Sequence, residues 1–283
     1  MQSKEHWDLI IKPKNKWYQI DLYAIWKYRD LLLLLVRRDF LAIYKQTILG
    51  PLWFIIQPVF TALTYTFVFG VANISTEGVP RVLFYLAGIT LWTYFSDCLT
   101  KTSSTFVANA GVFGKVYFPR LIMPLSILVS NLIKLSIQFT IFVCVWIYFL
   151  ASTDVIHPHW EFIWVLPILI IMMAGLGFGF GILISSLTTK YRDLTMLVGF
   201  GVQLLMYGSC VVLPVSVMPQ KIQHLILLNP LASIIESFKF IFLGSGSVNS
   251  IYSLAYGFVF MLVLLIISVI SFSKVEKSFM DTV

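Results

Sequence analysis

Long apolar stretches separated by short polar segments dominate the pattern of hydrophobic and polar positions along the chain. A bilayer core about 30 Å thick is crossed by a helix of roughly 20 apolar residues, and six stretches are near or above that length. Backbone amides in lipid must be paired within their own segment, and the alternation typical of a membrane β-barrel is absent. The pattern therefore predicts an all-α integral membrane protein with six transmembrane helices, at 52–71, 82–99, 121–150, 162–185, 194–213 and 251–272.

The segment 21–48, before the first stretch, has a different pattern. Its apolar positions recur at helical spacing, and basic residues are distributed along it. Basic, amphipathic helices lie in the membrane interface rather than crossing it. We therefore expect a cytoplasmic, interfacial amino-terminal region at 1–50 and a six-span domain at 51–283. The apolar positions are Leu22, Ile25, Trp26, Leu33 and Val36, and the basic ones are Lys27, Arg29, Arg37, Arg38 and Lys45.

The segment 214–249, between the fifth and sixth stretches, fits neither an aqueous loop nor a span. It is too apolar for a loop, yet three prolines and Gly244 divide it into pieces too short to cross a bilayer. Two short helices, at 221–228 and 231–242, would enter the outer leaflet and return, which is tolerated where they line a cavity or pack on protein. We therefore expect a re-entrant outer hairpin that acts as a gate. Its candidate gate residues are Asn229, Pro230 and Glu236.

Lys and Arg residues are distributed unequally between alternate connecting segments. If the amino terminus is cytoplasmic, the inner segments 1–50, 100–120, 186–193 and 273–283 hold 16 of the 20 Lys and Arg residues. Cytoplasmic loops of membrane proteins carry this excess. The distribution predicts that both termini are cytoplasmic. It also explains the net charge of +7 by contact with the membrane surface rather than with nucleic acid.

Composition and motifs argue against a soluble enzyme. Only 12% of the residues are charged, against about 25% in soluble proteins. The sequence has no phosphate loop for ATP, no H-E-x-x-H, no Cys/His cluster and no G-x-S-x-G. His157 and His159 flank Pro158 in an outer loop, where they suit the membrane interface better than a metal site. We therefore expect no catalytic residue, metal or cofactor in this chain.

Polar residues inside apolar spans are energetically costly, so each of them needs an explanation. Asn131, Lys134 and Gln138 lie on one face of the third predicted helix, at spacings i, i+3 and i+7. One interpretation is hydrogen bonding between helices, with the lysine extending toward the interface. The other is a polar lining of a translocation path, and the sequence leaves both open.

Aromatic and polar residues form a stripe along the first predicted helix. Such a face suits sugar rings, which have apolar C–H faces and polar rims, but it is also typical of helix packing and of interfacial aromatic belts. The stripe, at spacings of three or four residues, consists of Trp53, Gln57, Phe60, Thr64 and Phe67. On the second predicted helix, Tyr85 and Trp92 lie seven residues apart.

Four glycines in the fourth predicted helix allow close helix contact. Gly175 and Gly179 are four residues apart, as are Gly177 and Gly181. This spacing predicts tight packing within one subunit, with a contact between two subunits as the alternative.

Four segments of the chain, taken together and in order, carry a family resemblance. They are RRDFLAIYKQTILGPLWFIIQP (37–58), GVFGKVYFPR (111–120), TTKYRDL (188–194) and LLNPLASIIESFKFIFLG (227–244). They resemble the membrane permeases of bacterial ABC-type exporters of polysaccharides such as O-antigen, capsule or teichoic acid. In the first segment the shared pattern is an Arg-Asp pair, Tyr-Lys-Gln, Leu-Gly, Trp and Gln-Pro. The resemblance covers nearly the whole chain and agrees with the topology predicted above.

The resemblance implies a type-2 ABC exporter in the bacterial inner membrane. Two copies of this chain would pair with two copies of a separate ATP-binding subunit, which would hold ATP and Mg. The inner loop 101–118 would dock onto that subunit. Its candidate coupling residues are Asn109, Gly114, Lys115 and Tyr117.

The substrate implied by the resemblance is a polysaccharide on a polyprenyl diphosphate lipid. Basic groups at headgroup depth are suited to hold the diphosphate. The candidates for this role are Arg29, Arg37, Arg38 and Lys45. The candidates for lining the channel are Trp53, Gln57, Phe60, Thr64, Phe67, Tyr85, Trp92, Asn131, Lys134 and Gln138.

Two alternative functions remain open. An exporter of drugs or other small molecules would share the six-span plan, although the segment 37–58 and the amphipathic helix favour polysaccharide. An integral-membrane transferase acting on lipid-linked sugars belongs to a different class. Such an enzyme is expected to have paired acidic residues or a histidine near one interface, and the acidic residues of the spans are scattered.

Overall fold

The described part of this protein is helical throughout. The computed structural model describes residues 22–45, 48–113, 115–116, 118–191, 193–246 and 249–282, and no β-strand occurs in these ranges. The all-α expectation is therefore confirmed. The α-helices are α1 (Leu22–Lys27), α2 (Arg29–Lys45), α3 (Trp53–Val71), α4 (Arg81–Ser103), α5 (Thr105–Ala108), α6 (Ala110–Phe113), α7 (Ile122–Ser152), α8 (Leu166–Thr188), α9 (Leu194–Tyr207), α10 (Gln220–Leu227), α11 (Pro230–Leu243) and α12 (Asn249–Thr282).

Five helical segments in the described ranges are long and apolar enough to cross a bilayer, which identifies a multi-pass membrane protein. They match the first, second, third, fourth and sixth predicted spans. Helix α7 has 31 residues, or about 46 Å at 1.5 Å per residue, and so exceeds the bilayer core as expected. The five segments are Gly50–Val71, Arg81–Ser103, Ile122–Ser152, Trp160–Thr188 and Ile251–Val275.

The fifth predicted span is shorter than its apolar stretch. Helix α9 has 14 residues, about 21 Å, and ends at Tyr207 instead of continuing to position 213. Gly208 follows it, and Cys210 has a left-handed φ of 56°, so the chain turns there. The carbonyl of Cys210 accepts a hydrogen bond from Lys239 of α11. The prediction of one continuous helix over 194–213 is therefore wrong.

Helix α4 lies at the centre of the molecule and packs against α8, α7 and α3. The glycines of α8 make its approach possible. A methyl group added at Gly177 would lie 2.9 Å from the β-carbon of Cys98, and Gly181 faces α4 in the same way. Gly175 and Gly179 instead face α12. The glycine pattern therefore serves contacts within one chain, which confirms the expectation of packing within one subunit.

Helix α2 has one buried and one exposed side, but the predicted apolar positions Leu33 and Val36 do not share the buried one. Leu35 and Val36 are buried, and the helix packs against α7 and the 3₁₀ turn Gly50–Leu52. Leu33 and Leu34 are exposed. An exposed leucine pair beside basic residues suits an environment that is partly apolar and partly aqueous.

Helices α10 and α11 form a bent pair at the position of the predicted hairpin. Their axes meet at 101°, and together they are apolar enough to count as one broken span or a re-entrant loop. Every residue of α11 is buried, against α12, α4 and α8. The helix ends at Gly244, whose φ of 71° is the left-handed conformation that terminates many helices. The second helix of the pair is therefore part of the core.

Candidate functional site

The predicted aromatic and polar stripe lies on one exposed face of α3. Trp53, Gln57, Phe60, Thr64 and Phe67 are all exposed, with Phe60 at 65% and Phe67 at 73%. A shallow groove of about 500 Å³ runs along this face from Trp53 to Thr64. The hydroxyl of Thr64 donates to the carbonyl of Phe60 at 2.8 Å, so its oxygen is available as an acceptor. We call these five residues the α3 stripe.

Tyr85 and Trp92 do not extend the α3 stripe. Both are buried, because α4 is surrounded by other helices. The ring of Tyr85 packs against Tyr65, Phe69 and Phe84 at centroid distances of 5.6–6.0 Å. Contrary to the prediction, these two aromatic residues are core residues in this structure. Their spacing alone could not reveal this, since it depends on the neighbours of α4.

The predicted polar residues of the third span face α4 and form a polar cluster with it. Lys134 of α7 makes an ion pair with Asp97 at 2.7 Å. Lys101 donates a hydrogen bond to Asn131 at 2.9 Å. Asn131 is buried, and its amide lies 3.8 Å from the sulfur of Cys98. For Asn131 and Lys134, the structure thus provides the hydrogen bonds between helices that the first interpretation required.

Gln138, one turn further along α7, differs from its two neighbours. It is buried, and neither atom of its amide has a hydrogen-bond partner in the described part of the chain.

Sequence reasoning missed Asp97 and Lys101 as members of this cluster. The sequence did contain a signal for them: Asp97 lies in the second predicted span and Lys101 just beyond it, where a charged side chain needs a partner.

A pocket of about 230 Å³ adjoins the polar cluster where α2, α3, α4 and α7 meet. It is bounded by charged, amide and hydroxyl groups together with apolar side chains. The hydroxyl oxygen of Ser130 is buried and has no hydrogen-bond partner within the described ranges. We call this space the α2–α7 pocket. Its polar and aromatic lining includes Asp39, Phe54, Lys101, Ser130, Asn131 and Lys134.

The arginines of α2 lie on its exposed surface. Arg38 makes two hydrogen bonds to Asp39, at 2.7 and 2.9 Å. Arg29 lies 3.9 Å from Asp30 in an exposed pair, which contributes little to stability. Arg37 is exposed. These three of the four predicted diphosphate candidates therefore lie on one helix but make no closed site in the described residues.

The predicted coupling residues lie in the loop between α4 and α7. The amide of Asn109 donates to the carbonyl of Thr105 at 2.9 Å, which holds the end of α5. Lys115 is exposed. Gly114, Tyr117 and the side chain of Lys45 lie outside the described residues.

Aromatic residues fix this loop to the helix bundle. Phe106, Phe113 and Phe118 are buried in a second hydrophobic cluster, which also contains residues of α2, α8 and α12. Val112 and Val116 are exposed between them, at 39% and 58%. The loop thus presents apolar side chains on a firmly anchored backbone, which is suitable for contact with another protein.

Asn229 joins the start of α11 to the end of α9. Its carbonyl oxygen accepts from the backbone of Leu231 at 3.1 Å, as an N-cap. Its amide donates to the carbonyl of Gly208 at 2.9 Å and to the hydroxyl of Ser209 at 3.1 Å. Pro230, the first residue of α11, is buried. These contacts give both residues a structural role in the bent pair.

Glu236 belongs to a buried ion pair that sequence reasoning did not identify. Its carboxylate lies 3.5 Å from the ammonium group of Lys239, one turn later, and both side chains are buried. Lys239 also donates to the carbonyl of Cys210 at 2.5 Å and lies 3.7 Å from the ring centroid of Phe84. The i, i+3 spacing of Glu and Lys was the available signal.

Two further side chains hold the carboxyl-terminal end of α11. The ring of His159 stacks on Phe240 at 4.0 Å, with Nδ1 3.1 Å from the Phe240 carbonyl. The indole of Trp146 donates to the carbonyl of Phe242 at 2.7 Å. His159 therefore packs against the bent pair, and the interpretation of the two outer histidines as interfacial residues stays a prediction.

Comparison with known proteins extends these observations. The sequence profile of the family described as ABC-2 type transporter matches residues 30–243. An O-antigen export system permease protein RfbA of Klebsiella pneumoniae is 31% identical over 256 residues, covering 89% of this chain and 94% of the relative. A second RfbA permease from that species is 30% identical over 78% of this chain and 82% of the relative. One from Myxococcus xanthus is 25% identical over 77% and 82%.

Proposed function

Because this chain belongs to the ABC-2 type transporter family, we propose that it is the membrane permease subunit of an ATP-driven polysaccharide exporter. The substrate is a lipid-linked polysaccharide of the O-antigen type, moved from the cytoplasm across the bacterial inner membrane. Similarity to permeases named for O-antigen export over most of both chains supports this assignment. The structural observation that carries it is the exposed α3 stripe.

The α3 stripe is better suited to a sugar path than to lipid. An exposed glutamine amide facing hydrocarbon is costly, whereas beside a sugar it has hydroxyl groups to bind. Exposed rings of Trp53, Phe60 and Phe67 offer flat faces to the C–H sides of sugar rings. Two copies of the chain with their α3 stripes facing each other would enclose such a path. Tyr85 and Trp92 take no part in it, because both are buried.

Energy for export comes from a separate ATP-binding subunit. We assign its docking surface to the loop 101–118, where exposed Val112, Val116 and Lys115 lie on a backbone anchored by buried phenylalanines. ATP and Mg are bound by that partner, two copies of which serve two copies of this chain. Nothing in this assignment requires a cofactor in the permease.

The membrane position follows from charge and exposure. The Lys and Arg bias supports cytoplasmic termini. Helices α1 and α2 then lie in the inner interface, where Arg29, Arg37, Arg38 and Lys45 are near the carrier lipid's diphosphate. Helices α10 and α11 form a re-entrant hairpin in the outer leaflet, and its opening requires the contacts of Asn229, Pro230 and Glu236 to rearrange.

The acidic residues disfavour the alternative of a membrane transferase. Asp97 is paired with Lys134, and Glu236 with Lys239. Asp97 and Glu236 thus belong to different ion pairs and do not together form the paired acidic site that such an enzyme needs. An exporter requires no such site.

The test is transport by the purified chain with its ATP-binding subunit in proteoliposomes. We expect ATP-dependent movement of a fluorescent lipid-linked oligosaccharide. Trp53→Ala is expected to lower its rate about three- to tenfold, from loss of one aromatic contact, without reducing assembly with the ATP-binding subunit. Trp164→Ala, an equal change at another exposed tryptophan, is the control.

Three results would contradict the proposal in different ways. Normal transport by Trp53→Ala would exclude the α3 stripe as the path. ATP-driven movement of a hydrophobic dye, without movement of the oligosaccharide, would indicate a small-molecule exporter. Sugar transfer to a lipid acceptor without ATP would indicate a transferase.

A further inference from the structure

The α2–α7 pocket lies toward one end of α3, α4 and α7. Asp39 is in the second half of α2, Phe54 is the second residue of α3, and Lys101 is two residues before the end of α4. Ser130 and Lys134 are in the first half of α7. The excess of Lys and Arg in the predicted inner segments indicates that these helix ends face the cytoplasm. On this orientation the pocket lies in the cytoplasmic halves of α3, α4 and α7, toward the lipid headgroups.

The groups around the pocket have an excess of positive charge. Asp39 is paired with Arg38, and Asp97 with Lys134. Lys101 has a hydrogen bond to the Asn131 carbonyl oxygen but no carboxylate within 4.0 Å in the described part of the chain. Its ammonium group has three N–H donors, so two are left for another acceptor. The surplus charge of the cluster is therefore located on Lys101.

Hydrogen-bond donors outnumber hydrogen-bond acceptors around the α2–α7 pocket. Lys134 uses one N–H on Asp97 and lies 5.6 Å from the ring centroid of Phe54. The buried hydroxyl of Ser130 has no partner within the described ranges, which is unusual because buried polar groups are nearly always hydrogen-bonded. An acceptor-rich anion would satisfy Lys101 and Ser130 together. Phosphate is such an anion, and the volume of about 230 Å³ is sufficient for it.

We propose that the α2–α7 pocket binds the phosphate group of a lipid headgroup, with Lys101 as its principal ligand and Ser130 as a second donor. The acyl or prenyl chain of that lipid extends along the outside of α3. Two lipids carry this chemistry: an anionic phospholipid of the inner leaflet and the polyprenyl diphosphate of the transported substrate. Only the second source rests on the proposed function.

Equilibrium binding to the purified full-length chain in neutral detergent tests this site. The probes are radiolabelled farnesyl diphosphate and radiolabelled dioleoylphosphatidylglycerol, each measured separately. The chain is used without its ATP-binding subunit, so that a nucleotide site contributes no background. Lys101→Gln keeps a hydrogen-bonding side chain but removes the charge, and is expected to weaken binding of the recognised probe at least about tenfold.

Two matched variants separate a ligand role from a structural one. Ser130→Ala removes a hydroxyl that has no protein partner in the described residues, so thermal stability should not fall, while binding weakens about two- to tenfold. Lys190→Gln removes the same charge from an exposed loop and should leave binding unchanged. Competition between the two probes then identifies the source: a site for the carrier lipid prefers the diphosphate, whereas a phospholipid site accepts both.

Binding that is not saturable for either probe would overturn the proposal. So would equal losses in Lys101→Gln and Lys190→Gln, because the effect would then be general charge attraction. If Lys101→Gln does not fold, Ser130→Ala alone decides: unchanged affinity for both probes overturns the site. The two proposals can also fail separately. If the wild-type complex transports oligosaccharide but the chain shows no binding that depends on Lys101, this inference is contradicted and the proposed function stands.

Discussion

Replacing Lys239 by methionine should destabilise the protein more than any other loss of a single charge. The side chain is 1% exposed, so its replacement leaves Glu236 as a buried carboxylate without its cation. Removal of one partner of a buried pair typically costs 3–5 kcal/mol. The carbonyl of Cys210 also loses its charged donor. Since these contributions overlap, we expect a total of about 4 kcal/mol.

A double variant distinguishes the buried charge from simple loss of packing. In Lys239→Met with Glu236→Gln, no charge remains to be buried, so about 2 kcal/mol should be recovered relative to Lys239→Met alone. Lys221→Met provides the matched control, because Lys221 is an exposed lysine of α10 and should change stability by less than about 0.5 kcal/mol.

The assay is unfolding of the purified chain in mild detergent with increasing dodecyl sulfate, followed by tryptophan fluorescence. The reasoning is refuted if Lys239→Met is as stable as Lys221→Met. It is also refuted if adding Glu236→Gln lowers the stability of Lys239→Met further, because the carboxylate would then stabilise the fold without its lysine. Either result would mean that the charge of Lys239 does not help to hold α11 against α4 and the turn after α9.

Three further changes test the packing by the same unfolding assay. Gly177→Ala should cost about 1–3 kcal/mol, because its methyl group would lie 2.9 Å from the β-carbon of Cys98. Gly201→Ala is the control and should be neutral, because nothing lies within 4 Å of its added methyl group. Equal effects of the two changes would contradict the close contact at Gly177. Trp146→Phe should cost about 1–3 kcal/mol, since the carbonyl of Phe242 loses its donor, and an unchanged stability would show that this bond contributes nothing. Gln138→Leu should not destabilise, because its amide has no partner in the described residues; loss of transport at full stability would instead give Gln138 a role in the path.

The positions that sequence reasoning predicted well are those governed by local chemistry. Five of the six predicted spans are long helices, because an apolar run of about 20 residues has no other stable form in lipid. The α3 stripe is exposed as one face, since residues three or four apart necessarily share a helix face. The bent pair also matches the prolines and Gly244 that divide its segment.

The sequence-based predictions failed at residues whose role depends on which other parts of the chain they contact. Tyr85 and Trp92 have the same spacing and chemistry as residues of the stripe, but α4 is enclosed by other helices and α3 is not. Helix α9 stops early because the chain turns at Cys210, whose carbonyl meets Lys239 from a segment 29 residues later. Neither fact can be inferred from a short stretch of the sequence.

The sequence by itself therefore determined the class of this protein, five of its spans and its family resemblance, and it predicted the orientation from charge. These depend on hydrophobicity and on local spacing, which a linear sequence contains. Only the tertiary structure decided that Asp97 meets Lys134, that Lys101 lies beside Ser130 with no carboxylate within 4.0 Å in the described residues, and that Lys239 of α11 meets the carbonyl of Cys210. The reason is that polar groups away from water are satisfied by partners distant in sequence, and those partners are known only when the helices are packed.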